Sequence, residues 1–193
     1  MSAHNNNNNY PNHNVAVSIG TKPTLIVVKP MQFLIMDAPR QGNLHVYIKE
    51  MRKYHVTDVV RVCEPTYQGG ELSNAGISLH ELEYKDGTSP PKDLIDTWLQ
   101  LVEKTFYGKT QQSNGDSTSN CIAVHCVAGL GRAPVMVAIA LIEFASMDPV
   151  EAVTFIRQRR RGAINEKQLL YLEGYKKQYR RGAGPEASCC VIL

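Results

Sequence analysis

Nothing in the 193 residues approaches a membrane span. The longest unbroken apolar run is Val135–Ile142, far short of the roughly 20 residues that cross a bilayer. The chain also lacks the charged-then-apolar opening of a secretory leader. Without one, its five cysteines read as thiols of a reducing compartment rather than as a disulfide framework. A strong net charge is missing too: at +3 there is no global field to draw a nucleic acid. Two nucleotide-binding loops are excluded as well. No Lys-Ser or Lys-Thr follows Gly129 and Gly131, as a Walker loop requires, and Pro134 stands where a dinucleotide turn needs its third glycine.

What is present is an ordinary soluble composition, 43% hydrophobic and 20% charged. Residues 1–20 are polar, include the run Asn5–Asn9, and are read as a disordered tail. Residues 21–180 suffice for one domain with a real core, interrupted by a polar loop insertion at 109–120. Residues 181–193 read as a flexible tail.

Thr24–Val28 and Gln32–Met36 read as strands about Lys29-Pro30. Asn43 is expected to cap a helix to Tyr54, with Leu44, Tyr47, Ile48 and Met51 facing inward. Val59, Val60 and Val62 make a short strand ending at Cys63, and Ile77, Leu79 and Leu82 alternate as another. A helix from Pro90-Pro91 would bury Leu94, Ile95, Trp98, Leu101 and Val102. Cys121–His125 is a strand, followed by a helix from Ala133-Pro134. Asp148-Pro149-Val150-Glu151, with cap residue, first-turn proline and reciprocal acid, opens a helix that stops at Gly162, and Asn165 with Gln168 opens a last one to about Tyr179. Strands alternating with helices predict an α/β single domain with a central, largely parallel sheet flanked by helices.

In such a sheet ligands sit beyond the carboxyl ends of the strands, and Cys126 stands there. Val127, Ala128, Gly129, Leu130 and Gly131 separate it from Arg132. A strand–loop–helix connection of this kind turns backbone N–H groups inward, and the helix N-terminus adds positive potential. The glycines permit the crowded backbone of such a cradle, and the Arg132 fork matches two phosphate oxygens. The same field stabilises a thiolate. Nucleophile and anion cradle are one structure, which suits attack on a phosphoester.

The stretch His125-Cys126-Val127-Ala128-Gly129-Leu130-Gly131-Arg132 resembles the signature of cysteine-dependent protein tyrosine and dual-specificity phosphatases. With its flanks, CIAVHCVAGLGRAPVMVAIALIE and FIRQRRRGAINEKQLLYLE, the chain resembles the phosphatases of regenerating liver from about Met31 to Tyr179. These flanks do not suit a sulfur-transferring, rhodanese-like loop. The resemblance implies the dual-specificity phosphatase fold and a two-step reaction on phosphotyrosine-containing proteins. Cys126 would attack phosphorus, Arg132 and the loop amides of residues 127–131 would bind the oxygens, and an acid would protonate the leaving group. It implies no metal and no cofactor.

The acid position falls on Asp86 in "ELEYKDGTSPP", with Glu83 a weaker rival. Relatives usually carry Trp-Pro where Leu82 and Glu83 stand, so loop closure is expected to differ. In the subfamily the cysteine matching Cys63 pairs reversibly with the nucleophile, which implies a redox partner for Cys126. Most phosphatases of the class place Ser or Thr after the arginine, but here Ala133 removes that hydroxyl, so slow release of a phosphocysteine is expected. Lipid phosphatases of the class often carry lysines where Val127, Ala128 and Leu130 are apolar. Relatives also bind membrane magnesium-transport mediators of the CNNM type, so a phosphatase-fold clamp is a second reading.

The chain ends Cys190-Val191-Ile192-Leu193, a prenylation box whose terminal leucine favours geranylgeranyl at Cys190. Cys189 beside it is a candidate for palmitate. Nine basic residues between Arg157 and Arg181 face only Glu166 and Glu173. Among them Lys176, Lys177, Arg180 and Arg181 adjoin the anchor and suit an anionic membrane surface, while some of Arg157, Arg159, Arg160 and Arg161 read as a solvated helix face. The expected location is the cytoplasmic face of plasma or endosomal membranes, with a soluble cytoplasmic pool when unprenylated. Relatives also associate with their own copies on membranes.

Overall fold

A computed structural model of the protein describes residues 18–108 and 120–179. The asparagine run, most of the 109–120 insertion, Arg180, Arg181, Cys189 and Cys190 lie outside the described residues.

The most completely buried strand takes the centre of the sheet. Strand β5 (Cys121–His125) is buried at every position, as a strand covered on both faces must be. On one side lie β2 (Met31–Met36) and then β1 (Thr24–Val28); on the other lie β3 (Val56–Arg61) and then β4 (Ser78–Glu81), in the order β1-β2-β5-β3-β4. Only β1, at one edge, runs antiparallel, paired with β2 through the cis Lys29-Pro30 turn. The other pairings are parallel, and Arg61 and Met36 both stand opposite His125. Three strand ends therefore come level just before Cys126.

Period-two alternation separates the two faces. Phe33, Ile35, Ile122 and Val124 pack beneath α3 (Lys92–Tyr107), α4 (Arg132–Phe144), α5 (Pro149–Arg159) and α6 (Glu166–Glu173). Leu34, Met36, Cys121 and Ala123 pack against α1 (Leu44–Lys53) and α2 (Gly70–Asn74). Helix α4 is apolar around its whole circumference and buried from Arg132 to Ile142, because the sheet and three helices enclose it. Trp98 locks α3 to it by donating its indole N–H to the Met136 carbonyl at 2.8 Å.

Four local readings are corrected. Asn43 stands at the cap position of α1, but its side chain turns back to accept the Arg40 N–H at 2.7 Å and does not cap the helix. Ile95, Trp98, Leu99, Val102 and Phe106 form the buried face of α3; Leu94 and Leu101 are half-buried on its shoulder. Asp148 caps α5 through the Val150 N–H without the reciprocal bond from Glu151. The last helix stops at Glu173, well before Tyr179. Gly174 ends it, and residues 175–179 peel away because Glu143 offers a better set of partners. One Glu143 oxygen accepts the Tyr175 hydroxyl at 2.7 Å and the Gln178 N–H at 2.9 Å. The short helix α2 has no periodic signature long enough to read from sequence.

Candidate active site

The sheet delivers three segments to one edge: the Cys126–Arg132 loop after β5, Cys63 and Glu64 after β3, and the Tyr84–Gly87 segment after β4. Beyond β4 the strand alternation continues, with the Leu82 N–H on the Arg61 carbonyl, so Leu82 and Tyr84 turn inward and Glu83 turns to solvent. Asp86 follows in the turn closed by Gly87 at φ +72°. The resulting cleft, about 330 Å³, is lined by the loop together with Asp86, Gly87, Gly162, Asn165 and Gln168. Glu83 is not among its walls.

The loop is held by its carbonyls. The Val127 carbonyl accepts the Ala38 N–H at 3.0 Å, and the Leu130 carbonyl accepts the Ile164 N–H at 2.7 Å. Arg160 reaches the Ala128 and Gly129 carbonyls at 3.2 and 2.6 Å. All four carbonyls are drawn outward. In a planar trans peptide the next residue's N–H points the opposite way, so the amides of Ala128, Gly129, Leu130 and Gly131 face the cleft side. Gly129 is required for this path: it sits at φ +67°, and a Cβ there would collide with the Met36 carbonyl and the Arg160 guanidinium.

Cys126 is buried at the base of this ring, and Arg132, 2% exposed, closes it from the first turn of α4. The guanidinium is held by the Tyr84 carbonyl at 2.9 Å and lies 3.5 Å from a Glu64 oxygen. Its Nε stands 3.2 Å from Asp86, close enough for ion pairing but not aligned for a hydrogen bond. The Tyr84 hydroxyl donates back to the Arg132 carbonyl at 3.0 Å. Glu64 and Tyr84 had no signal in the sequence beyond the inward phase of Tyr84 on an extended strand. Asp86 remains 78% exposed, as a group that must meet an incoming ester would be.

Cys63 is buried near Cys126 and Arg132. Burial pushes its thiol up to about 11, the nearby Arg132 charge only partly offsetting it. His125 is fully buried under the loop, with the Tyr67 hydroxyl 2.8 Å from its Nε2. Burial, reinforced by the Arg61 charge, pushes its imidazole down to about 3. The basic stretch divides. Arg160 is buried, and Arg157 is tied to the Ala163 and Ile164 carbonyls, so neither is part of a purely solvated face.

An α/β domain with this thiol, this arginine and this ring of amides belongs to the cysteine phosphatases of dual-specificity type. The family described as "Swiss Army Knife protein, DSP-PTPase phosphatase domain" matches residues 22–170. A putative protein tyrosine phosphatase from Leishmania major superposes with TM-score 0.73, at 39% identity, over 81% of this chain and 100% of that one. Within the class, the chain belongs to the protein tyrosine phosphatase type IVA, or PRL, family. It is 46% identical to the PRL-1 phosphatase of Drosophila melanogaster over 88% of this chain and 92% of that protein. To protein tyrosine phosphatase type IVA 3 of Homo sapiens it is 45% identical, over 88% and 95%.

The neutral His125 ties stability to pH. An unfolded histidine titrates near 6.5 and this one near 3, so between those values the unfolded chain binds more protons and stability falls as pH drops. Urea midpoints taken from about pH 7.5 to about pH 4.5 should decline. The decline should be shallower in His125→Asn; an identical slope in that variant would assign the titration to other groups.

Proposed function

We propose that this chain removes phosphate from phosphotyrosine on proteins in two steps through Cys126. The observation that carries the reading is the ring of cleft-facing amides around that thiol, closed by Arg132. The Cys126 thiolate attacks phosphorus, the ester oxygen leaves with the proton of Asp86, and a sulfur–phosphorus bond remains. Water then attacks phosphorus and gives its proton to the Asp86 carboxylate, while the bonding pair returns to sulfur. The amides and Arg132 hold the equatorial oxygens through both steps. Before attack the incoming phosphate must compete with Asp86 for Arg132, which frees the acid for the leaving group.

Ala133, fully buried beside Arg132, supplies no hydroxyl to the departing sulfur, so the second step is slow. Rapid mixing of the protein with an aryl phosphate should give a burst of about one product per Cys126, followed by slow turnover. Ala133→Ser should raise the steady rate by about 10-fold or more, the worth of one hydrogen bond to a charged group. An unchanged rate would remove the missing hydroxyl as the limit. A long-lived phosphocysteine also favours the second reading, a clamp on a CNNM-type membrane transporter. That reading requires Asp86→Ala to keep partner binding while turnover is negligible.

Cys63 is proposed as the redox partner of Cys126, supported by its burial against the same site. Peroxide converts Cys126 to a sulfenic acid, and Cys63 displaces its hydroxyl as water to form a disulfide. Peptide mass spectrometry without reductant should find Cys63 joined to Cys126 after mild peroxide. Over-oxidised Cys126 in its place would sink the switch.

The final residues support a geranylgeranyl anchor at Cys190. The adjoining basic side chains contribute about 1 kcal/mol each at an anionic leaflet, which suits the cytoplasmic face of plasma or endosomal membranes. No helix among the described residues is long and apolar enough to cross a membrane. Cys190→Ser should move the protein into the soluble fraction of lysed cells. Persistent sedimentation with membranes would exclude this anchor.

A further inference from the structure

Behind the catalytic loop lies a second and larger cleft, about 700 Å³ against about 330 Å³. Ala128 and Leu130 line both, so the two clefts adjoin across one loop. The outer cleft takes its remaining character from Lys22, Leu25 and Tyr54 on one side and Arg159, Arg160 and Arg161 on the other. Among the described residues, four cationic side chains and no carboxylate line it.

None of those four side chains enters an ion pair among the described residues. Arg160, 6% exposed, spends its donors on the Lys22, Ala128 and Gly129 carbonyls and on the Thr21 and Thr24 hydroxyls, all uncharged. The Asp37 carboxylate acts on Arg160 from a distance and offsets part of its charge without forming an ion pair, which leaves Lys22, Arg159 and Arg161 as the charges open to a ligand. Arg159 lies over the Phe155 ring at 3.7 Å and donates to the Phe155 carbonyl, held by stacking rather than by an anion. Lys22 and Arg161 are exposed and enter no ion pair among the described residues. Concave walls with one sign of charge concentrate the opposite sign. Leu25, Tyr54 and the partly exposed Leu130 add an apolar strip beside the cations.

We propose that this cleft recognises acidic side chains flanking the phosphotyrosine of a protein substrate. The inference rests on the phosphatase reading above and adds its sequence preference. A ligand that reaches both sides of one loop must be continuous, and a peptide meets the condition: phosphotyrosine enters the inner cleft, and neighbouring glutamates or aspartates occupy the outer one. Arg160 fixes the wall between them, so the two sites keep a constant spacing.

The test compares kcat/KM for two phosphotyrosine peptides that differ only in carrying glutamates or alanines around the phosphotyrosine. The unmodified chain should prefer the acidic peptide on the order of tenfold, mainly through KM, and high salt should erase the preference. The paired substitution Lys22→Glu with Arg161→Glu should bring the ratio to one or below. If that protein is unstable, Lys22→Gln alone and the salt series on the unmodified chain give the same readout. A ratio near one in the unmodified chain overturns the proposal. An equal loss on both peptides in the variant also overturns it, since the charges would then act only as general steering. So would an intact peptide ratio with lost binding to phosphoinositide vesicles, which would make the cleft a lipid-headgroup site. Turnover that survives Cys126→Ser would sink the phosphatase mechanism itself, whatever the peptide ratio.

Discussion

Four carbonyl oxygens, those of Val127, Ala128, Gly129 and Leu130, are pulled away from the cleft by partners outside the loop. Everything at the site depends on this. A loop with its carbonyls inward would repel a phosphate; turned outward, each peptide bond offers its amide to one. The partners come from two places far from the loop in the chain: Ala38 after β2, and Arg160 with Ile164 in the connection between α5 and α6. The loop's conformation is thus a property of the assembled domain. Residues 126–131 contain two glycines that permit it but nothing that enforces it.

The second constraint is the charge on Arg132. A guanidinium 2% exposed must be matched by fixed dipoles or counter-charges. The Tyr84 carbonyl supplies the fixed part, and Glu64 and Asp86, both on exposed segments, supply the displaceable part. Exposed carboxylates can be displaced by an incoming anion, which suits the phosphate-binding role proposed for this site. The interlocked Tyr84 and Arg132 backbone contacts meanwhile hold the segment that carries Asp86 against the start of α4.

Helix α4 also separates two ends of the molecule. Its first turn carries Arg132, and 11 residues later, about 16 Å along the axis, Glu143 gathers residues 175–179. The basic residues that adjoin one another in sequence are split between these ends. Arg157 and Arg159–Arg161 flank the catalytic loop because α5 runs back toward it, whereas Lys176 and Lys177 follow the strap on Glu143. Continuity of charge along the chain therefore did not become one surface.

Much was already written in the residues. Alternation and helical spacing place most elements within a few residues, and the H-C-x5-R spacing between an apolar strand and a helix sets cysteine, glycines and arginine in one loop. Such features are local, carried by hydrogen bonds and periodicities within about a dozen residues. What lay beyond reach was decided by contacts between distant segments. Nothing near Tyr84 or Glu64 announces Arg132 as a neighbour; the parallel register of β3, β4 and β5 brings them there. No pattern marks Arg160 among three consecutive arginines as the buried one; the uncovered carbonyls of the loop select it. Nor could the residues after Gly174 be known to leave the helix, since the carboxylate that draws them off sits on α4. The chain by itself determined which groups can do chemistry. Only the tertiary structure decided which way the peptide bonds around them point, because that direction is set by acceptors and donors that folding brings from elsewhere.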